Sequence, residues 1–254
     1  MDLGTIAGYI IGAIAVFGVA CQWDLAPYID VPSVAIVGGG LISTVLISVP
    51  MHKIKRMPKS FLIGFMGKSE ELESKIVQLV QLSEMARKEG ILALESIVDQ
   101  LPDPFLKQGL QLAVDGIDPE IISEIMNTKI DGIQERHEEN KRAWEIVRGG
   151  GPSWGAIGTV IGLVQMVKGG VEDPNALISG IAVALLTTLY GSLIASWLIG
   201  PVCDKLAERS ADEILLKTII TRGVMSIQAG DAPRVVEQKL RVFQGGWKTE
   251  EKDA

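Results

Sequence analysis

Three threonines sit where a hydroxyl is conspicuous. Thr159 lies in the run Gly149–Val167, and Thr187 and Thr188 lie side by side in a second run, Ala176–Gly200; neither run contains Asp, Glu, Lys, Arg or His. A hydroxyl in apolar surroundings either bonds back to a carbonyl one turn earlier in its own helix or lines a polar path. Threonine alone does not relay protons across a membrane, because such relays need a titratable group inside the bilayer. Either this chain moves no ion, or a partner helix supplies a carboxylate. A second group is charged: Glu84, Arg87, Lys88, Glu89 and Glu95 gather around Gly90. Glu84 precedes Lys88 by one helical turn, the order that suits an ion pair of about 0.3–0.5 kcal/mol. From the residues alone this cluster is a solvated face.

Nothing else in the chain suggests catalysis. His52 and His137 stand apart, and the two cysteines, Cys21 and Cys203, match no metal-ligand spacing. The glycine-rich runs lack the Lys-Ser/Thr of a phosphate loop. The expectation is a protein that is not an enzyme and carries no cofactor. A net charge of −7 with no basic cluster to offset it argues against a nucleic-acid partner.

The elements that hold these residues are apolar helices. Hydrophobic residues make up 47% of the chain and the mean hydropathy is +0.29, too apolar for an ordinary soluble domain. The excess falls in four runs: Leu3–Trp23, Val31–Met51, Gly149–Val167 and Ala176–Gly200. A hydrocarbon core of ~30 Å is crossed by about 20 apolar helical residues, so each run reads as a membrane helix, the first retained rather than cleaved. Small residues recur at helical spacing, as Gly151, Gly155, Gly158 and Gly162 in one helix and Gly180, Ala184, Thr188, Ser192 and Ser196 in the other. Such stripes let membrane helices pack closely. Gly4, Gly8 and Gly12 form a shorter stripe, and Gly38–Gly40 suggest close contact or a local irregularity.

Lys53, Lys55, Arg56 and Lys59 follow the second run. By the positive-inside rule they place both termini in the cytoplasm and loops 22–30 and 168–175 outside. Lys141, Arg142 and Arg148, then Lys205 and Arg209, agree. The two cysteines then lie at opposite membrane faces and cannot bridge. The expected fold is an all-α integral membrane protein with four transmembrane helices and a large helical cytoplasmic domain between the second and third. Its segments are a hairpin over 1–51, the cytoplasmic domain over 52–148, a second hairpin over 149–201, and a cytoplasmic C-terminal segment over 202–254.

Within the cytoplasmic domain, Ser69 is placed to cap a helix opening with Glu70 and Glu71. Leu72, Ile76, Val80 and Leu82 or Val77 form its apolar face. Pro102-Asp-Pro104 breaks the pattern, and Asp118-Pro119-Glu120 signals a new helix start. Pro152 enters the third membrane helix and Pro201 marks the exit of the fourth. Cys203–Ile227 reads as an amphipathic helix carrying Leu206, Ile214, Leu215, Ile219 and Ile220. A turn at Gly230–Arg234 precedes a short helix ending near Phe243, and Gly245–Ala254 is a mobile tail.

One resemblance spans nearly the whole chain. Pro152-Ser-Trp-Gly-Ala-Ile-Gly-Thr-Val-Ile-Gly-Leu, then Ala182-Val-Ala-Leu-Leu-Thr-Thr-Leu-Tyr-Gly and Gly200-Pro-Val-Cys-Asp-Lys-Leu, resemble the MotA/PomA family of flagellar stator subunits. The resemblance implies a homo-oligomer, a pentameric ring around a pair of MotB/PomB-like helices that each bring an ion-binding aspartate, in the bacterial inner membrane. Leu82–Glu95 resembles that family's rotor-contact segment, which implies that Arg87, Lys88 and Glu95 meet the rotor protein FliG. Where the family sometimes has a further acid, this chain has Ser96. Pro152 and Pro201 match prolines associated with ion-driven conformational change, and Arg234 matches an arginine implicated in assembly or rotor contact. Thr159, Thr187 and Thr188 resemble the sodium-type members, so a transient Na+ is favoured over H+ as the transported ion. The nearest alternative is an ExbB/TolQ-type energiser of outer-membrane processes, but those chains usually have three membrane helices with the large segment after the first. A membrane scaffold with no ion flux is the third reading.

Overall fold

The computed structural model describes residues 3–20, 22–66, 72–169 and 173–244. The expected cap at Ser69, Cys21 and the tail 245–254 lie outside them. Among the described residues every regular element is helical. The chain divides into two compact units, one from residues 1–67 and 137–208, the other from 68–136 and 209–254.

The first unit begins with α1 (Leu3–Ala13), which continues as a π-helical stretch, Ile14–Ala20. A short loop with a 3-10 turn at Ala26–Tyr28 leads into α2 (Val31–Ser48). Asp30 starts α2 by accepting the Ser33 N–H at 2.8 Å, with Pro32 in the first turn where no amide hydrogen is needed. Val49-Pro50 ends it, and α3 (Met51–Ile54) and α4 (Met57–Met66) follow. The glycine cluster makes no irregularity: α2 runs unbroken through Gly38–Gly40.

The second unit opens with α5 (Leu72–Glu89), a 3-10 turn at Ile91–Leu94, α6 (Glu95–Val98) and α7 (Pro104–Val114). Ile76, Leu79, Leu106, Ile122, Ile220 and Leu240 all have no exposed surface in its core. Each fully buried side chain of this kind contributes about 1.5–3 kcal/mol. The buried face of α5 is Ile76, Leu79 and Leu82, whereas Val77 is 43% exposed. Leu79 completes the i, i+3 spacing, so Val77 points out.

Four further α-helices follow among the described residues. α8 (Pro119–Gly169) is a single helix of 51 residues, begun at Asp118, whose carboxylate accepts the Glu120 N–H at 2.9 Å. α9 (Pro174–Ser192) is capped by Asp173, continues as a π-helical stretch Leu193–Ile199, and passes into α10 (Gly200–Gln228). α11 (Pro233–Arg241) follows the turn at Gly230.

The prolines depart from expectation here. Pro152 stands inside α8, not at its entry, and Pro201 lies in the first turn of α10 without ending the helix. Proline removes the N–H that would pair one turn back. Before Pro201 the ladder widens to π spacing, with the Gly200 N–H reaching the Ala195 carbonyl. In the same stretch the Leu198 carbonyl accepts the Tyr9 hydroxyl at 3.1 Å.

α2 and the continuous helix Pro174–Gln228 are long and apolar enough to cross a membrane. The apolar run Gly4–Gly18 is shorter, and the apolar end of α8 is diluted by Gly149–Pro152 and Gln165. Large apolar side chains of the first unit point outward: Ile47 is 83% exposed, Val31 76%, Val167 74% and Leu185 67%. A surface of that kind is suited to lipid or to another protein helix rather than to water.

Candidate functional site

The C-terminal part of α8 and α9 pack antiparallel through their smallest residues. A Cβ on Gly162 would lie 2.5 Å from the Gly180 carbonyl, and one on Gly151 would lie 2.5 Å from that of Gly191. Gly155 meets the Thr187 carbonyl in the same way, at 3.0 Å. Backbone against backbone at this range admits no side chain, so the packing faces are small. On the α9 side that face runs through Gly180, Ala184, Thr187, Gly191 and Ala195, whereas Thr188, Ser192 and Ser196 of the expected stripe are exposed.

This contact sorts the three threonines. Thr187 is fully buried, faces Gly158, and donates its hydroxyl to the Val183 carbonyl at 2.8 Å. Thr188 is exposed and Thr159 half-buried at the edge of the same contact, with their Oγ1 atoms 2.6 Å apart. Thr159 Oγ1 also lies 3.0 Å from the Gly155 and Ala184 carbonyls, and Thr188 Oγ1 lies 3.2 Å from that of Ala184. Each of these two hydroxyls has one proton to give and keeps a lone pair with which it can accept from a donor or face a cation. The helices themselves bring no acid or base to this place.

The prolines lie on the same two helices. Pro152 is exposed and Pro201 half-buried, and Arg148 Nη1 reaches Asp204 Oδ1 at 3.1 Å between the helices that carry them. Cys203 is buried and free, and burial raises its thiol pKa above the ordinary value.

The second unit presents the charged residues. Gly90 has φ +87°, a conformation other residues adopt with strain. It ends α5 and swings the chain into the turn anchored by buried Leu94 and Val98. Arg87, Lys88 and Glu95 are all exposed on either side of it, and Lys88 stands 4.0 Å from Glu84 as the spacing predicts. Arg234 is exposed on α11. Arg87, Glu95 and Arg234 make no ion pair among the described residues.

A buried charge cluster escapes the sequence reading. Asp103 is 5% exposed, with Lys217 Nζ 3.2 Å from one carboxylate oxygen and Lys75 Nζ 3.3 Å from the other. It also caps α7 by accepting the Phe105 N–H at 2.9 Å. Burial pushes the carboxyl pKa up, but the Phe105 N–H, Lys217 and Lys75 outweigh it, and the net shift is downward. Pro102-Asp-Pro104 reads as a helix breaker. Aspartate just before proline is also a cap signal, but nothing local announces lysines from two distant helices.

Known proteins resemble this chain along nearly its whole length. Residues 97–218 match the model of the MotA/TolQ/ExbB proton channel family. The chain is 40% identical over 245 residues to motility protein A of Borreliella burgdorferi, covering 96% of this chain and 94% of that one. A structure of C. jejuni MotAB superposes with a TM-score of 0.86 at 28% identity, covering 100% of this chain and 99% of that one. The flagellar MotAB stator complex from Bacillus subtilis gives 0.80 at 31% identity, covering 91% and 92%.

Proposed function

The chain belongs to the MotA/TolQ/ExbB proton channel family and, within it, to the motility protein A group, and we propose that it is the ion-path and torque-generating subunit of a flagellar stator. One observation carries this reading: paired hydroxyls at the edge of a tightly packed helical hairpin whose two apolar runs contain no Asp, Glu, Lys, Arg or His. Such a site is half of an ion path. The other half is a carboxylate on a MotB/PomB-like partner helix, and the outward apolar side chains of the first unit give that helix and further copies of this chain a surface to pack on.

On this reading the protein is a four-helix subunit of the bacterial inner membrane, with residues 52–148 and 202–254 in the cytoplasm, assembled as a pentameric ring. Sodium fits the site better than a bare proton, because it must exchange lost hydration for several oxygen ligands. Thr159, Thr188 and the Ala184 carbonyl offer three oxygens, while Thr187 holds the helices at the distance that presents them. Loading and release of the partner's aspartate shift the helix segments carrying Pro152 and Pro201. The exposed Arg87, Lys88, Glu95 and Arg234 transmit the movement to FliG as electrostatic contacts.

Deleting the gene tests the proposal. Cells lacking this chain are expected to assemble filaments that do not rotate, and its expression restores rotation. Normal swimming in the deletion strain would contradict it.

A further inference from the structure

Two tryptophans of the first unit are seated on glycines of α1 and α2, each within about one helical turn of a proline. Trp154 follows Pro152 by two residues. Its ring lies over Gly40 so closely that a Cβ there would fall 2.1 Å from Trp154 Cδ2. Its indole N–H donates to Thr44 Oγ1 at 2.8 Å, and that hydroxyl in turn donates to the Gly40 carbonyl at 3.0 Å. Trp197 precedes Pro201 by four residues, inside the π-helical stretch. A Cβ on Gly12 would fall 2.2 Å from its Nε1, a buried nitrogen with no hydrogen-bond partner among the described residues. Phe17 and Tyr9 flank the ring at 5.9 and 5.8 Å between centroids, and the Tyr9 hydroxyl holds the Leu198 carbonyl next to it.

The neighbouring glycines are different. Cβ atoms on Gly8, Gly38 and Gly39 would meet nothing within 4 Å. Of the run Gly38–Gly40, only Gly40 is required by what lies against it. The notch is therefore position-specific and is not a general small-residue face.

We propose that Gly40 with Thr44, and Gly12 with Tyr9, form two keyways that hold Trp154 and Trp197 and so set the orientation of the two proline-bearing segments of the ion-path helices. α1 and α2 then act as the reference against which those segments bend. Trp154, Trp197, Gly12 and Gly40 are positioning residues: none touches the threonine pair, and each acts through the helix it fixes. This rests on the stator reading above.

The test is a bead assay on single motors, in which speed rises in steps as stator units join. A defect of folding or assembly lowers the number of steps, whereas a positioning defect lowers their height. Gly40→Ala and Gly12→Ala are expected to cut step height at least fivefold, while Gly8→Ala, Gly38→Ala and Gly39→Ala leave it unchanged. Gly40→Ala with Trp154→Leu relieves the clash without the ring or the Thr44 bond, so it should recover protein in the membrane while step height stays low. Trp154→Phe, which keeps the ring and loses the Thr44 bond, should at least halve it without lowering the amount of protein in the membrane. Unchanged step height in Gly40→Ala and Trp154→Phe, or equal loss in Gly38→Ala and Gly39→Ala, would overturn the proposal. Absence of steps in cells expressing the unmutated chain would instead overturn the stator reading on which it rests.

Discussion

Thr159 and Thr188 hold their hydroxyl oxygens 2.6 Å apart across two antiparallel helices, while their neighbour Thr187 is turned into the contact between those helices. Adjacent residues on α9 therefore have different work. Thr159→Ala and Thr188→Ala each remove an exposed-edge oxygen and add no bulk. Each is expected to raise the sodium concentration needed for half-maximal swimming speed severalfold, or to abolish rotation. Thr187→Ala leaves a gap beside Gly158 and should lower assembly with little change in sodium dependence. Swimming speed against sodium concentration distinguishes the two. Equal speed in sodium-free medium for the unmutated chain and all three variants would mean that protons drive the motor.

The charges beside Gly90 are expected to act through a partner, because Arg87 and Glu95 are exposed and make no ion pair among the described residues. Arg87→Glu and Glu95→Lys should each impair motility while leaving membrane insertion and thermal stability within about 0.5 kcal/mol of the parent, as exposed substitutions usually do. Compensating reversals on the rotor should restore part of the speed. Normal swimming in both variants at low and high ionic strength would assign the cluster to a solvated face.

How much of this was legible in the sequence depends on the range of each signal. Helix starts are local: Asp118-Pro119 names its own cap, and the structure places α8 there. The small-residue stripes are periodic, so close packing of these helices is readable from spacing, but the α9 face turns through Thr187, Gly191 and Ala195 rather than Thr188, Ser192 and Ser196. The continuity of the helix through Pro201 is not readable, because it goes with π spacing over Leu193–Ile199 that no local residue pattern announces. Nor does sequence separate Thr187 from Thr188. Their burial is set by which stripe of α9 meets α8. The Asp103 cluster joins residues more than a hundred positions apart, and no local pattern records it.

Asp103 gives a prediction about the second unit. Asp103→Asn takes from Lys75 and Lys217 the carboxylate that compensates them, and removing one partner of a buried ion pair costs about 3–5 kcal/mol. Thermal unfolding of the purified protein should show that loss. Lys75→Met should cost less, since Lys217 still pairs the carboxylate. The folded-state pKa of Asp103 is lowered, so its contribution is fully present above the ordinary aspartate range, about pH 4. It is lost as pH falls through the lowered folded-state value. Stability of the parent should therefore fall with acidification below about pH 4, and that part of the fall should be absent in Asp103→Asn. An identical acid profile in parent and variant would remove Asp103 from the account.

The central claim is that this chain holds half of an ion path and that its partner brings the other half. Cation flux into liposomes tests it most directly, with the chain reconstituted alone, with a MotB-like partner, and with a partner whose intramembrane aspartate is replaced by asparagine. The account predicts flux only with the unaltered partner, because the two apolar runs of the ion-path hairpin carry no Asp, Glu, Lys, Arg or His. Cation-selective flux through the chain alone, equal to that of the pair, would contradict it.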